Sequence, residues 1–219
     1  MTDILASPAS QFPNLHVFDH PLIRHKLAIV RDESTKYDRF RALVNQIAGL
    51  MLFEVSRSFP IEECSVKTPM ETTTGVHLAK SITVCPILRA GLGMSEGLLE
   101  IMPEARVGHI GMYRDETTLK PVEYLCKLPE TAAAGPVVLV DPMLATGGSA
   151  VAAVQLLREH GITDVRLICL VASPEGVKTM LEHCPKVPIY AAALDRELNE
   201  NGFILPGLGD AGDRLFGTK

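Results

Sequence analysis

The chain has 219 residues, 47% of them hydrophobic and 21% charged, which is enough for one sizeable core and for a single domain over 1–219, with residues 1 to about 36 as an N-terminal extension. A net charge of −5 argues against a surface built to hold a nucleic-acid backbone, since that affinity rests on lysine and arginine at phosphates. Five cysteines (Cys64, Cys85, Cys126, Cys169, Cys184) without a C-x-x-C pair, no membrane-length apolar run, and no basic-then-apolar order in Met1–Asn14 point to a soluble protein of the reducing cytoplasm.

Taken in chain order, apolar residues at Phe40, Leu43, Val44, Ile47, Leu50, Met51 and Val55 predict a helix over Asp38–Arg57. Ser81–Leu88 reads as a strand, Met94–Ile101 as a helix and Arg106–Tyr113 as a strand. The polar segment Asp115–Lys127 reads as a flexible hairpin over a site. Val137–Asp141 is a strand, Gly148–His160 a helix, Val165–Ala172 a strand, Glu175–Cys184 a helix and Ile189–Leu194 a strand. This alternation predicts an α/β fold, a mainly parallel sheet flanked by helices, and Pro-Gly punctuation after Leu198 predicts an irregular C-terminal segment.

The run Asp141-Pro142-Met143-Leu144-Ala145-Thr146-Gly147-Gly148-Ser149 between strand and helix carries the most chemistry. Its small residues let backbone N–H groups and hydroxyls close around a phosphate at the positive end of a helix, and Asp141 can accept hydrogen bonds from ribose hydroxyls. A Walker loop is excluded, because no lysine lies between Lys127 and Lys178. Gly91–Gly97 has one residue too many for a dinucleotide fingerprint, and Gly207–Gly212 matches one but lacks a following strand. In parallel sheets, ligands sit beyond the carboxyl ends of the strands, where Arg89, Arg114 and Asp141 fall. Blander readings apply to each: surface ion pairs for the arginines, a turn or cap for Asp210, and packing or a subunit interface for His20 and His25. Cys85 and Cys169 read as buried apolar fillers.

Five motifs together resemble the uracil phosphoribosyltransferases of the type I phosphoribosyltransferase fold. They are His20–Lys26, Pro86–Met94, Gly111–Arg114, Asp141–Ser149 and Gly202–Arg214, the last being the most specific. The wider fold family usually opens its loop with two adjacent acids, whereas Pro142 follows Asp141 here, as in the uracil branch. The resemblance implies transfer of the 5-phosphoribosyl group from 5-phosphoribosyl 1-diphosphate to N1 of uracil, giving UMP and diphosphate. It implies that Asp141–Ser149 with Arg89, Arg114 and Asp210 bind the phosphoribosyl donor, and that Ile204, Gly209, Asp210 and Ala211 bind uracil. Arg89, Arg114 and Asp210 are then the catalytic candidates, Asp210 either as organiser of metal-bound water and diphosphate or as acceptor of the N1 proton. Magnesium, with no dedicated protein ligands, is expected to arrive with the substrate and to meet Asp210 through water. A homodimer or higher homo-oligomer, GTP as an effector in some members, and no nucleic-acid or membrane partner complete what is implied. An RNA-binding regulator on the same fold is the competing reading, disfavoured by the absence of a lysine-arginine run.

Overall fold

The computed structural model describes residues 12–114 and 121–218. Three apolar runs form the centre of the sheet: β4 (Thr83–Leu88), β8 (Val137–Val140) and β10 (Val165–Ala172), buried almost throughout, as parallel strands covered on both faces must be. Before them in the chain come β1 (Leu15–Val17), α1 (Pro21–Arg31), α2 (Tyr37–Val55) and a hairpin of β2 (Ile61–Lys67) with β3 (Thr72–Leu78). Between β4 and β8 lie α3 (Leu92–Ile101), β5 (Arg106–Val107), β6 (His109–Arg114) and β7 (Pro121–Lys127). After β8 come β9 (Met143–Leu144), α4 (Gly148–Glu159), β10, α5 (Pro174–His183), β11 (Ile189–Leu194), β12 (Glu197–Leu198), β13 (Ile204–Leu205) and α6 (Ala211–Phe216).

The main sheet runs β1-β11-β10-β8-β4-β6-β7, parallel except for the antiparallel β6–β7 pair, with β5 joined to β4 and β9 to β10. Helices α1, α2, α3 and α6 cover one face and contribute Ile23, Phe40, Ile47, Met94 and Leu215 to its core. Helices α4 and α5 cover the other, where Val154, Leu157, Val177 and Met180 pack against Leu139 and Leu167. No helix among the described residues is long and apolar enough to cross a membrane.

The α/β alternation read from the sequence is the observed one, and the differences lie at its edges. Residues assigned to an N-terminal extension include β1, which pairs in parallel with β11, and α1, which buries Ile23, Leu27 and Val30. The strand expected over Arg106–Tyr113 is divided at Gly108: β5 pairs with the start of β4 and β6 with its end. Pro121–Lys127, expected to be part of a flexible hairpin, is an edge strand of the sheet, while residues 115–120 of that hairpin lie outside the described residues. The C-terminal segment, expected to be irregular, contains the β12–β13 pair and α6, whose start Asp210 caps.

Candidate active site

The loop after β8 is fixed at several points to the strand and helix that follow it. The Pro142 carbonyl accepts from the N–H groups of Leu170 and Val171, both at 3.1 Å, and β9 then pairs with the end of β10. Ser173 donates its N–H to the Leu144 carbonyl at 3.0 Å and its Oγ–H to the Ala145 carbonyl at 2.6 Å. Gly147 turns the chain into α4 at φ +82°, where a Cβ would stand 2.8 Å from the Gly176 carbonyl oxygen, so a side chain is excluded by conformation and by space. Helix α4 begins without a capping side chain, and the nearest hydroxyl, Thr146 Oγ1, is 3.5 Å from the Gly148 nitrogen. A helix start without a side-chain cap presents first-turn N–H groups that an anion can accept from, which the helix dipole favours. A cavity of about 80 Å³ is bordered here by Asp141, Met143, Leu144, Ala145, Thr146, Gly147 and Ser149. Pro142 and Gly148 do not border it; Pro142 is buried, its carbonyl taken by β10.

Asp141 stands at the head of the loop, and its Oδ1 accepts the Met143 N–H at 3.2 Å. Packing around the carboxyl pushes its pKa up to about 6, opposed only in part by that hydrogen bond. The residue keeps partial access to solvent, on the side that opens to the cavities.

A second cleft, of about 260 Å³, lies between this loop and the C-terminal segment. Ile204, Gly209, Asp210 and Ala211, the residues that motif resemblance linked to a base, all border it. Gly202, Phe203 and Gly212 border it as well; they lie in the C-terminal motif read as base-binding but were not singled out in it, and Ala90, from the motif Pro86–Met94, completes the wall. Asp141, Met143 and Ala145 border both cavities, which makes the two adjoining parts of one site. Asp210 has the bland role as well as the expected place: its Oδ1 accepts the Asp213 N–H at 2.9 Å as the cap of α6, and the residue lines the cleft.

Arg89 follows β4 directly, is exposed, and holds its guanidinium 5.8 Å from the centre of the Phe216 ring, an α6 residue. Arg114 ends β6 by pairing with Pro121, and its side chain lies outside the described atoms. His20 caps α1, accepting the Leu22 N–H at 3.2 Å, which is a structural role. Cys85 and Cys169 are fully buried, and burial pushes the Cys85 thiol up to about 12 and the Cys169 thiol upward too, so neither is a thiolate nucleophile at neutral pH.

The uracil phosphoribosyltransferase family profile matches residues 17–218. A uracil phosphoribosyltransferase of Finegoldia magna is 58% identical over 204 residues, covering 93% of this chain and 98% of that one. The chain belongs to the uracil phosphoribosyltransferase family. Among solved structures, the AQ2163 protein of Aquifex aeolicus superposes with a TM-score of 0.88 at 36% identity, over 92% of this chain and 97% of that one. An adenine phosphoribosyltransferase of Trypanosoma brucei superposes at a TM-score of 0.53 and 15% identity, over 83% and 84% of the two chains, a likeness of fold alone. Against that background the fold is the type I phosphoribosyltransferase fold, and Asp141 is followed by Pro142, so that the loop opens on one acid. The proline carries no N–H and gives its carbonyl to β10, so the position anchors the loop instead of presenting a second carboxylate.

Proposed function

We propose that the two adjoining cavities divide the substrates of uracil phosphoribosyl transfer between them, the loop Asp141–Ser149 taking the ribose 5-phosphate and the cleft at Ile204–Ala211 taking uracil. The observation that carries this reading is the shared border of Asp141, Met143 and Ala145, which brings a sugar held by the loop against a base in the cleft. In the reaction, the bond between ribose C1 and the diphosphate breaks, the bond from C1 to uracil N1 forms, and N1 gives up its proton. The loop holds the 5-phosphate on the donors of α4, and Asp141 accepts from the ribose hydroxyls. Arg89 and Arg114, which stand at the ends of neighbouring strands, are assigned to the leaving diphosphate, where charge accumulates as the bond breaks, because a permanently charged fork suits that task. Asp210 borders the cleft, and its carboxylate is assigned to the N1 proton or to water around the magnesium-bound diphosphate.

Among the described residues no cluster of three His, Cys, Asp or Glu side chains is placed to hold a metal. Magnesium is assigned to the substrate as its diphosphate chelate, as the family resemblance implies. Uracil offers two carbonyl acceptors and an N3–H donor to the backbone of Ile204, Gly209 and Ala211; cytosine would set an amine against a donor meant for O4. The test is an assay with 5-phosphoribosyl 1-diphosphate, magnesium and either uracil, cytosine, orotate or hypoxanthine. UMP is expected from uracil, with cytosine at least about 10³-fold poorer in kcat/KM; equal turnover of both pyrimidines would remove the base assignment. Self-association belongs to the same reading, supported by the β2–β3 hairpin, which stands off the main sheet with Ile61, Val66, Met70 and Val76 exposed.

A further inference from the structure

We propose that Arg31 and Asp195 form a positioning pair that sets the turn at Gly207, and through it the uracil cleft, without touching either substrate. The proposal rests on the assignment of uracil to the cleft at Ile204–Ala211. Arg31 is the last residue of α1, and Asp195 follows β11, its N–H held by the Ala172 carbonyl at 2.8 Å. Their side chains are 23% and 5% exposed, and they meet as a fork: Nη2 donates to Oδ1 at 2.6 Å and Nη1 to Oδ2 at 2.7 Å. Nη1 also donates to the Gly207 carbonyl at 2.7 Å, and Oδ2 accepts the Gly207 N–H at 2.8 Å. One ion pair therefore holds both backbone polar groups of a single glycine.

That glycine sits at a tight point of the chain. Its φ is +62°, and a Cβ there would lie 2.1 Å from the Ile204 carbonyl oxygen, so the turn folds back against a residue that borders the cleft. The same turn is held on either side. Arg196 donates its N–H to the Leu205 carbonyl at 3.0 Å. Arg214 Nη1 donates to the Leu208 carbonyl at 2.8 Å and to the Val30 carbonyl at 2.7 Å, with its guanidinium 4.3 Å from the centre of the Phe40 ring.

Neither Arg31 nor Asp195 borders the cleft. A buried ion pair is a poor source of net stability, because desolvation offsets its attraction. What this pair provides is direction, since a bidentate fork fixes the position and orientation of the peptide groups bound to it. The phosphoribosyl loop hangs from other atoms, those of Leu170, Val171 and Ser173, so disturbance at Gly207 should be felt by the base and not by the donor.

Steady-state kinetics of Arg31→Lys and Asp195→Asn, with thermal unfolding recorded for each, tests this. In D195N an amide NH2 would face a donor at whichever carboxylate position it occupies, and the KM for uracil is expected to rise about tenfold. The KM for 5-phosphoribosyl 1-diphosphate is expected to stay within about twofold of wild type. R31K keeps the charge but not the fork, and a smaller rise confined to uracil is expected; it carries the test should D195N fail to fold. An equal rise in both KM values, or an unchanged uracil KM in folded variants, would overturn the proposal. Ala211→Val, in the cleft wall itself, separates the two levels of the argument. If A211V raises the uracil KM and the pair variants do not, the cleft assignment stands and the positioning role falls. If none of the three variants moves the uracil KM, the cleft assignment falls too.

Discussion

Asp141 is a carboxylate kept where an acid is costly to ionise. Its pKa of about 6 against the model-peptide value of 3.8 means that the folded protein keeps this proton between those pH values while the unfolded chain loses it. Stability from this group is therefore lost as pH rises from about 4 to 6, and the loss is complete above 6. Asp141→Asn, which can still accept the Met143 N–H, should match wild type near pH 4 and exceed it by about 3 kcal/mol at pH 7.5, while losing activity. Urea unfolding of both proteins at the two pH values measures this; an Asn variant less stable than wild type at pH 7.5 would contradict it. The same titration predicts that kcat/KM for 5-phosphoribosyl 1-diphosphate falls below pH 6, because a protonated Asp141 loses acceptor capacity for the ribose hydroxyls. Asp141 was legible in the sequence as an acid closing a buried apolar run. Asp195 occupies the same kind of position after β11 but has no small-residue loop behind it, so nothing local marks it, and its partners Arg31 and Gly207 are brought to it only by tertiary folding.

Helix α5 shows how a neighbouring element shapes the Asp141–Ser149 loop. Ser173 caps it by accepting the Gly176 N–H at 2.9 Å, and the same hydroxyl donates to the Ala145 carbonyl. Gly176 lies so close to the loop that a Cβ would stand 2.3 Å from the Ala145 carbonyl oxygen. Ser173→Ala removes the cap and leaves a half-buried carbonyl without its donor, so a destabilisation of about 1–2 kcal/mol is expected. The KM for the phosphoribosyl donor should rise with it, while that for uracil stays put; a pure loss of stability with unaltered kinetics would restrict Ser173 to capping. Elements with strong periodicity or continuous burial, such as α2, β8 and β10, were readable because core packing dictates their residues. The β2–β3 hairpin was not, since its strands are exposed or half-buried throughout and lack the alternation that one buried face imposes. Helix α6 is six residues long, too short for a period to show beside its Pro-Gly neighbours. Helix α1 did carry start signals, His20 as cap and Pro21 in the first turn, with Ile23, Leu27 and Val30 at helical spacing behind them.

At the scale of the whole molecule, the candidate site joins the two cores, with Met143 and Ala145 of the loop packed against the same core as Ile204. Leu144, within the Asp141–Ser149 loop, and Ala150, just after it, pack with α4 and α5 on one face of the sheet. Ile204 and Leu208, in the base segment, pack with α1, α2 and α6 on the other. A ligand bridging the loop and the cleft contacts both cores, and unfolding of either then costs its binding energy. With magnesium and 5-phosphoribosyl 1-diphosphate at about a hundred times the dissociation constant, the native state gains about 2.7 kcal/mol. For a chain of this size that corresponds to a rise of about 5–10 °C in the unfolding midpoint. Chelating the magnesium should diminish the rise, because the diphosphate is then bound with its charge unneutralised and its geometry unset. In the Asp141→Asn variant the order reverses: a higher midpoint than wild type without ligand, and a smaller response to it. Scanning calorimetry of the two proteins with and without ligand distinguishes this from its alternative. Equal shifts in both would mean that the ribose does not reach the head of the loop, and the donor would have to be placed elsewhere along the strand ends.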